Sequence, residues 1–142
     1  MMTERFIGLL IVTGINATGT NLNSPIAIDW SPKRAAFEKI QSACPAPLEQ
    51  AWAYGESIGS VSTNEIHRAI VIADSGPVAT LQTAERRLPG GLNLVRLTRG
   101  PVTAQPGILP DIARALRADY PRLSRNLVFW MPDTVDAAAA MR

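Results

Sequence analysis

The hydrophobic pattern is most regular in the middle of the chain, across residues 66–98. An apolar run at residues 69–73 ends at a turn-forming Asp-Ser-Gly-Pro tetrapeptide, residues 74–77. Apolar residues then recur at helical spacing through residues 78–88, and a second apolar run follows at residues 92–97. Two buried strands joined by one helix form a parallel βαβ unit, which is almost always right-handed. The pattern therefore predicts such a unit at the centre of the fold.

The rest of the chain contains further strand and helix patterns. Ser31 and Pro32 form a helix start, with serine as the N-cap and proline at the first helical position, and Pro47 opens a second helix. A third helical pattern places Ile112 and Leu116 one turn apart on the same face. The remaining predicted elements and bounds, in chain order, are a strand at 6–13, a loop at 14–24, a short strand at 26–28, the first helix to about Cys44, a connection at 58–65, the third helix from about Pro110 to Tyr120, a strand at 126–131 and a terminal helix at 133–141.

This order of elements predicts an α/β fold. We expect residues 1–142 to form a single domain, a three-layer α/β sandwich of the Rossmann-like or flavodoxin-like kind. Its sheet is expected to be mostly parallel, with four to five strands. Apolar residues make up 46% of the chain and charged residues 18%, which suits a substantial core.

The chain is expected to be a soluble cytoplasmic protein. Cys44 is the single cysteine, so an internal disulfide is excluded and a reducing compartment is favoured. Residues 6–13 are apolar, but a membrane-spanning helix needs about 20 such residues, and no signal-peptide cleavage pattern follows. A membrane partner is therefore not expected.

Basic residues are unevenly distributed along the chain. Residues 1–65 hold four basic and six acidic residues, whereas residues 66–142 hold ten arginines and six acidic residues. Arginine binds phosphate through two parallel hydrogen bonds, so nucleic-acid association through the second half is one hypothesis. Solvated helix faces are the favoured alternative, because few aromatic residues are interleaved with the arginines and no nucleic-acid motif is recognised.

Ligands of open α/β sheets bind at the carboxyl edge, where loops and helix starts converge. The loops expected there span residues 14–24, 74–77 and 99–107. Asp74, at a strand end, is suited to bind a metal ion or accept a proton, and free N–H groups at a helix start favour an anion. In the alternative, Asp74 or Ser75 merely caps a helix. The residues expected to bind an anionic ligand are Asp74, Ser75, Gly76, Thr13, Asn16 and Arg99.

Two short motifs match functional patterns without their structural context. Residues 55–59, Gly-Glu-Ser-Ile-Gly, fit the G-x-S-x-G nucleophile elbow, but a helical pattern precedes the serine where a strand is needed. The single histidine, His67, also follows that serine too closely. Residues 14–20 have the glycine spacing of a phosphate-binding P-loop, but Thr20 stands where lysine is required. Neither motif assigns a catalytic residue.

The sequence assigns neither a metal site nor a cofactor. One histidine and one cysteine cannot form the cluster that a transition metal needs. Magnesium needs only one or two carboxylates, and Asp74 and then Asp133 are the candidates. Both residues also lie where helix caps are expected, and capping is the favoured interpretation.

The favoured function is that of a small, non-catalytic binding or regulatory protein that acts through a protein partner or a second copy of itself. No complete catalytic constellation is visible, and Trp30, Trp52 and Trp130 are suited to anchor an interface. The first alternative is binding of an anionic or phosphorylated small ligand at the carboxyl edge, including enzymatic use of that ligand. The second alternative is arginine-mediated nucleic-acid association.

Overall fold

The computed structural model describes residues 26–120 and 125–131. The predicted strand at residues 6–13, the loop at 14–24 and the terminal helix at 133–141 lie outside the described residues. The elements, in chain order, are β1 (Ala27–Asp29), α1 (Arg34–Gln41), a 3-10 turn (Leu48–Gln50), α2 (Trp52–Val61), β2 (Glu65–Ala73), β3 (Gly76–Leu88), β4 (Leu92–Thr98), β5 (Val102–Thr103), a second 3-10 turn (Pro106–Ile108), α3 (Leu109–Asp119) and β6 (Asn126–Met131).

The strands of the described residues form one mixed, mainly antiparallel sheet. Its order is β1-β2-β3-β4-β6, and β5 pairs with β3 beside that path. Among the strand pairs within residues 26–120 and 125–131, only β4 and β6 are parallel, and α3 lies between these two strands in the sequence. The prediction of a mostly parallel, Rossmann-like or flavodoxin-like sandwich is therefore wrong.

The error arises at β3, the longest strand. Residues 78–88 were expected to form a crossover helix, but they continue the strand that begins at Gly76. Asp74 and Ser75 form a tight turn between β2 and β3, and Ala73 pairs with Gly76 across it. Gly76 has a φ of 109°, a conformation that glycine adopts at little cost. The predicted βαβ unit is thus an antiparallel hairpin followed by β4.

Burial explains why β3 did not resemble a strand in the sequence. Its six residues from 78 to 83 are all buried, so both faces of the strand are covered. A strand covered on both faces loses the alternation of apolar and polar residues that identifies a half-exposed strand. Thr80 and Thr83 are β-branched and suit a strand, but the small and polar residues around them also suit a helix.

The helices lie on both faces of the sheet. Ile112 and Leu116 of α3 pack into the main core on one face, which we call the α3 face. Its strand residues are Ala69 and Val71 of β2, Ala79 and Leu81 of β3, and Leu97 of β4. The alternate residues of β3 point to the opposite face, the α1–α2 face, where Gln41 of α1 hydrogen-bonds to Thr80.

The helix predicted from Pro110 to Tyr120 is confirmed as α3 to within one residue at each end. Pro110 lies in its first turn, where the missing N–H has no helical partner in any case. Ile112 and Leu116 are both buried, as the one-turn spacing requires. Burial of each such side chain stabilises the fold by roughly 1.5–3 kcal/mol.

Candidate functional site

The structure separates the residues that the sequence placed in one ligand site. Asp74 and Ser75 lie in the β2–β3 turn, Gly76 begins β3, and Arg99 directly follows β4. Six strand residues, roughly 20 Å, separate Gly76 from the part of β3 that faces the end of β4. Thr13 and Asn16 lie outside the described residues. Ligand binding by these residues stays a prediction. Of the four that the structure describes, Arg99 is the one that lies at the end of a parallel strand.

Metal binding finds no support in the described part of the chain. No group of three or more histidine, cysteine, aspartate or glutamate residues within residues 26–120 and 125–131 is arranged to hold a metal ion. Asp74 is exposed in its turn, and Asp133 lies outside the described residues.

The carboxyl ends of the parallel strands β4 and β6 lie side by side. Thr98 pairs with Met131, and the backbone N–H of Arg99 donates to the Met131 carbonyl at 2.6 Å. The indole N–H of Trp130 donates to the Gly100 carbonyl, also at 2.6 Å. We call Thr98–Gly100 and Trp130–Met131 the carboxyl edge. Parallel strands joined through a helix bind ligands at such an edge.

Arg99 places a positive charge at the carboxyl edge. Its φ of 52° is left-handed, which is uncommon for a residue other than glycine. Its side chain is 46% exposed, and Nη1 lies 3.4 Å from Oε2 of Glu49, which is 29% exposed. A guanidinium group is planar and always charged, and its fork of donors fits phosphate.

α3 begins ten residues after Arg99, beyond β5 and the second 3-10 turn. No side chain of the described residues caps the helix at Ile108. Residues 104–107, which lead into the helix, are exposed, and a Cβ added at Gly107 would meet no described atom within 4 Å. The N–H of Leu109 donates to the Pro106 carbonyl and Pro110 has no N–H, so the first two residues of α3 offer an anion no free backbone donor.

An acidic residue lies in the same first turn of α3. Asp111 is buried, and Arg114 Nη1 lies 2.9 Å from its Oδ1, without the alignment of a hydrogen bond. The charge of Asp111 is thereby balanced by a cation on its own helix. The charge that an anion meets at the carboxyl edge is set by Arg99 and the partly exposed Glu49 beside it.

Gln50 is inserted between β3 and β4 beside the carboxyl edge. The ladder between these strands ends at the pair Ala84 and Arg96. Beyond it, Gln50 Nε2 donates to the carbonyls of Gln82 at 3.1 Å and Thr98 at 2.7 Å. Gln50 Oε1 accepts from the Gln82 N–H at 2.8 Å. A buried side-chain amide thus replaces one peptide group of a strand and holds β3 and β4 apart.

Two further residues enclose the Gln50 side chain. A Cβ added at Gly100 would lie 2.6 Å from Gln50 Cδ, so glycine is required at this close approach. The Gln82 side-chain amide donates to the carbonyls of Glu49 and Ala51, at 3.1 Å each. The 3-10 turn is therefore bound to β3 through the Gln50 side chain and also through the backbone carbonyl of Glu49.

Arg68 completes this polar network on the α1–α2 face. Its Nε donates to Gln82 Oε1 at 2.8 Å, and its guanidinium carbon lies 4.0 Å from the centre of the Trp52 ring. Burial lowers the pKa of Arg68, and the nearby carboxylate of Glu56 opposes that shift. The guanidinium thus orients the Gln82 side chain that holds the 3-10 turn.

A second polar group lies on the α3 face, around the carboxylate of Glu85. Tyr120 donates its hydroxyl proton to Glu85 Oε1, and Asn93 Nδ2 donates to Oε2 at 3.0 Å. His67 Nε2 lies 3.9 Å from the same Oε2. Thr83 faces His67 across the strand pair, and its buried hydroxyl has no partner with hydrogen-bond geometry among the described residues. We call these five residues the Glu85 cluster.

The Glu85 cluster combines a shielded carboxylate with an accessible imidazole. The Glu85 side chain is 13% exposed and that of His67 is 44% exposed. Burial raises the pKa of Tyr120, and its hydrogen bond to Glu85 raises it further. Tyr120 therefore stays protonated and acts as a donor. Imidazole is suited to transfer protons near neutral pH, and a neighbouring carboxylate orients it.

The G-x-S-x-G match at residues 55–59 lies inside α2. Ser57 Oγ donates to the carbonyl of Ala53, one helical turn earlier, at 3.1 Å. A nucleophile elbow requires a turn between a strand and a helix, so this serine is an ordinary helix-surface residue. The glycine-rich match at residues 14–20 lies outside the described residues.

The three tryptophans pack within the chain. Each is half-buried and donates its indole N–H internally: Trp30 to Asp119 Oδ2 at 2.6 Å, Trp52 to Glu56 at 2.9 Å, and Trp130 to Gly100. The ring of Trp30 meets Tyr120 edge-on, with 5.8 Å between the ring centres. These contacts explain the tryptophans without an external partner.

Sequence reasoning missed Gln50, Gln82, Glu85 and Tyr120. Gln50 and Gln82 are 32 positions apart, and Tyr120 and Glu85 are 35 positions apart. No local spacing links residues so distant. In the sequence, each of these residues is simply a polar residue next to an apolar stretch. Polar residues in that position are common at protein surfaces, so the pattern did not single them out.

The fold is shared with known acetyltransferase structures. One is the crystal structure of an aminoglycoside acetyltransferase, meta-AAC0020, from an uncultured soil metagenomic sample, in complex with trehalose. It has a TM-score of 0.51 and 14% identity, and the match covers 80% of this chain and 82% of that one. The structure in complex with sisomicin has a TM-score of 0.52, 13% identity and the same coverage. At this identity, the likeness establishes the fold.

No family model matches the chain, and no curated protein matches it. The structural likeness nevertheless overturns the expectation of a non-catalytic, Rossmann-like binding or regulatory protein, because the chains that share this fold are enzymes. The alternative of a small-ligand site with enzymatic use is better supported.

Within the described ranges, no helix has both the length and the apolar character needed to cross a membrane.

Proposed function

We propose that this chain is an acyl-group transferase that moves an acyl group from a phosphate-bearing donor to an amine. The similarity of its fold to two acetyltransferase structures, over four fifths of each chain, carries the proposal. Acetyl-coenzyme A, a common biological acyl carrier, is the donor that we would test first. It combines an activated acyl group with several phosphate charges.

The carboxyl edge suits the phosphates of such a donor. Arg99 supplies a partly exposed guanidinium, whose fork of donors fits phosphate. It follows β4 directly in the chain, at the end of a parallel strand. The role expected of Arg99 from the sequence, binding of an anionic ligand, is retained in this proposal.

The Glu85 cluster suits the proton transfer that the reaction needs. The amine nitrogen forms a bond to the acyl carbon while the bond from that carbon to the carrier sulfur breaks. The nitrogen must lose a proton and the leaving thiolate must gain one. His67, beside Glu85, is the proposed proton acceptor. His67 pairs with Thr83 across β2 and β3, and β4 follows β3 in the sheet.

An acyl-transfer assay tests this proposal. The full chain is incubated with acetyl-coenzyme A and a panel of amines that includes sisomicin, and release of the free thiol is measured. We expect thiol release that depends on both the amine and the protein, and that falls when Arg99 is changed to Gln. Arg96→Gln is the control, because Arg96 is an exposed arginine of β4 that hydrogen-bonds to Asn64. Equal loss in both variants would contradict the assignment of Arg99.

The partners and location expected from the sequence remain proposals. An anionic small ligand is the partner that the proposed reaction requires. Nucleic-acid association, a protein partner and self-association add nothing to the argument for acyl transfer. A cytoplasmic location, based on the single cysteine, is compatible with use of a cytoplasmic acyl donor.

A further inference from the structure

The 3-10 turn Leu48–Gln50 contacts the carboxyl edge through two consecutive side chains. Gln50 hydrogen-bonds to the Thr98 carbonyl, and Glu49 lies beside the Arg99 guanidinium. The residue before Arg99 and the Arg99 side chain are thus contacted by neighbouring residues of one short turn. On the other side, the same segment is held by Met131 and Trp130 of β6.

We infer that Gln50 is a positioning residue that sets the place of Arg99 for the donor. This inference rests on the proposed function and identifies the residue that builds its donor site. Gln50 is fully buried, so it cannot itself touch the donor. It acts through Thr98 and Gly100, the residues on either side of Arg99.

The physical basis is the geometry of the gap between β3 and β4. The Gln50 amide bonds to both strands, and Gln82 contributes both of its backbone groups. Without this amide, the two buried backbone groups of Gln82 lose a partner, each at a cost of about 1–3 kcal/mol, and the half-buried Thr98 carbonyl loses one as well. The strands would then move to pair with each other or with water. A shift of the Arg99 guanidinium would lengthen its contact with the phosphate of the donor and so weaken donor binding.

The variant Gln50→Glu replaces the side-chain amide with a carboxylate of nearly the same shape, and so tests the role of the amide donor. The introduced carboxylate would face the carbonyls of Gln82 and Thr98, both of which need a donor. We expect the KM for acetyl-coenzyme A to rise by about tenfold, which corresponds to the loss of one charge-assisted contact. We expect kcat to change little. Protonation of the introduced carboxyl restores one donor. The ratio of variant to wild-type KM should therefore fall as pH is lowered, which a purely structural lesion would not produce.

The variant Gly100→Ala tests the same contact from the opposite side. The added methyl would lie within 2.8 Å of three Gln50 side-chain atoms, so Gln50 or the Arg99 segment must shift. We expect the same rise in donor KM. Gly59→Ala is the matched control, because its methyl would meet only Ile66, at an ordinary 3.4 Å. That control should leave KM and kcat within about twofold.

Failure of this inference is distinguishable from failure of the proposed function. Binding of coenzyme A, measured by calorimetry on the full chain, is compared for wild type, Arg99→Gln, Gly100→Ala and the double variant. The inference expects both single variants to bind about tenfold more weakly, and the double variant no more weakly than Arg99→Gln, because Gly100 and Gln50 act through Arg99. If Arg99→Gln weakens binding and neither Gly100→Ala nor Gln50→Glu does, Gln50 has no positioning role. If Arg99→Gln itself has no effect, the proposed donor site is wrong.

Discussion

Oε2 of Glu49 lies 3.4 Å from Nη1 of Arg99, so the guanidinium proposed to bind the donor is already paired with a carboxylate. Both side chains are partly exposed, and exposed ion pairs contribute at most about 1 kcal/mol. An arriving phosphate can therefore compete for Arg99. The pair also keeps the guanidinium over the 3-10 turn and the end of β4 before a ligand arrives.

The first prediction concerns this competition. Glu49→Gln removes the negative charge beside Arg99, so a phosphate-bearing ligand no longer competes with a carboxylate. We expect the Kd for coenzyme A to fall by about threefold to fivefold, the effect of an exposed charge pair, and the gain to shrink at high salt. Calorimetric titration at low and high salt measures both effects.

A matched control for that prediction is Glu38→Gln. Glu38 is another partly exposed glutamate, and its Oε1 lies 2.8 Å from Arg34 Nε on α1. We expect no change in coenzyme A binding for this control. The same gain in both variants would mean that net charge, and not the pair at Arg99, governs affinity.

The second prediction concerns proton transfer by the Glu85 cluster. His67→Gln removes the proposed proton acceptor, and we expect kcat to fall by about 100-fold with little change in donor KM. Glu85→Gln should have a smaller effect of the same kind, because the imidazole loses its shielded carboxylate. Steady-state kinetics at saturating amine separates the two parameters.

Glu65, a neighbour of His67 outside the Glu85 cluster, provides the comparison. Its Oε2 lies 3.6 Å from His67 Nε2, closer than that of Glu85, but its side chain is 76% exposed. Solvent screens an exposed charge, so Glu65→Gln should leave kcat within about twofold. If Glu65→Gln lowered kcat as much as Glu85→Gln does, proximity to His67 alone, and not burial of the carboxylate, would decide the effect.

The third prediction concerns the pH dependence of stability at Tyr120. Its pKa is raised in the folded protein, whereas the ordinary tyrosine pKa of about 10 holds for the unfolded chain. The resulting stabilisation is complete below about pH 10 and is lost as pH rises toward the folded pKa, because only the unfolded state then releases the proton. The free energy of unfolding should therefore fall more steeply above about pH 10 in wild type than in Tyr120→Phe.

At neutral pH, the same variant should lower the free energy of unfolding by about 1–3 kcal/mol, because Glu85 loses a donor. Urea unfolding from neutral to alkaline pH measures both effects. Parallel pH profiles for the two proteins would contradict the burial of the Tyr120 hydroxyl against Glu85.

The fourth prediction tests β3 as a central strand. Leu81 is fully buried in the core under α3, so Leu81→Ala should lower the free energy of unfolding by about 2–5 kcal/mol. Leu48, which is 67% exposed in the 3-10 turn, provides the control, and Leu48→Ala should change stability by less than about 0.5 kcal/mol. Denaturant titration compares them. Equal effects would contradict the burial pattern of β3.

The sequence predicted the elements whose pattern is local. Ile112 and Leu116 repeat every fourth residue and identify α3, and the short apolar run at residues 126–131 identifies β6. The Asp-Ser-Gly-Pro turn was located correctly, but a turn alone does not determine whether a helix or a strand comes next. The fold class was wrong because residues 78–88 were assigned to a helix. Burial by α1 and α3 on opposite faces removed their alternating pattern.

The candidate site could be predicted only in part. Arg99 follows a strand and precedes a helix, and that local order is visible in the sequence. The role of Gln50 depends on the end of the β3–β4 ladder, which is set by β4 pairing with β6 and β5 pairing with β3. Asp74 was assigned to the same edge because a parallel sheet was assumed. In an antiparallel hairpin, the end of β2 and the end of β4 need not meet.

Calorimetric titration of coenzyme A into the full chain and into Arg99→Gln tests the central claim most directly. The account predicts saturable binding to the wild-type chain, and about tenfold weaker binding to the variant at unchanged thermal stability. Equal affinity of the two proteins, or no binding to the wild-type chain, would contradict the proposed donor site at the carboxyl edge.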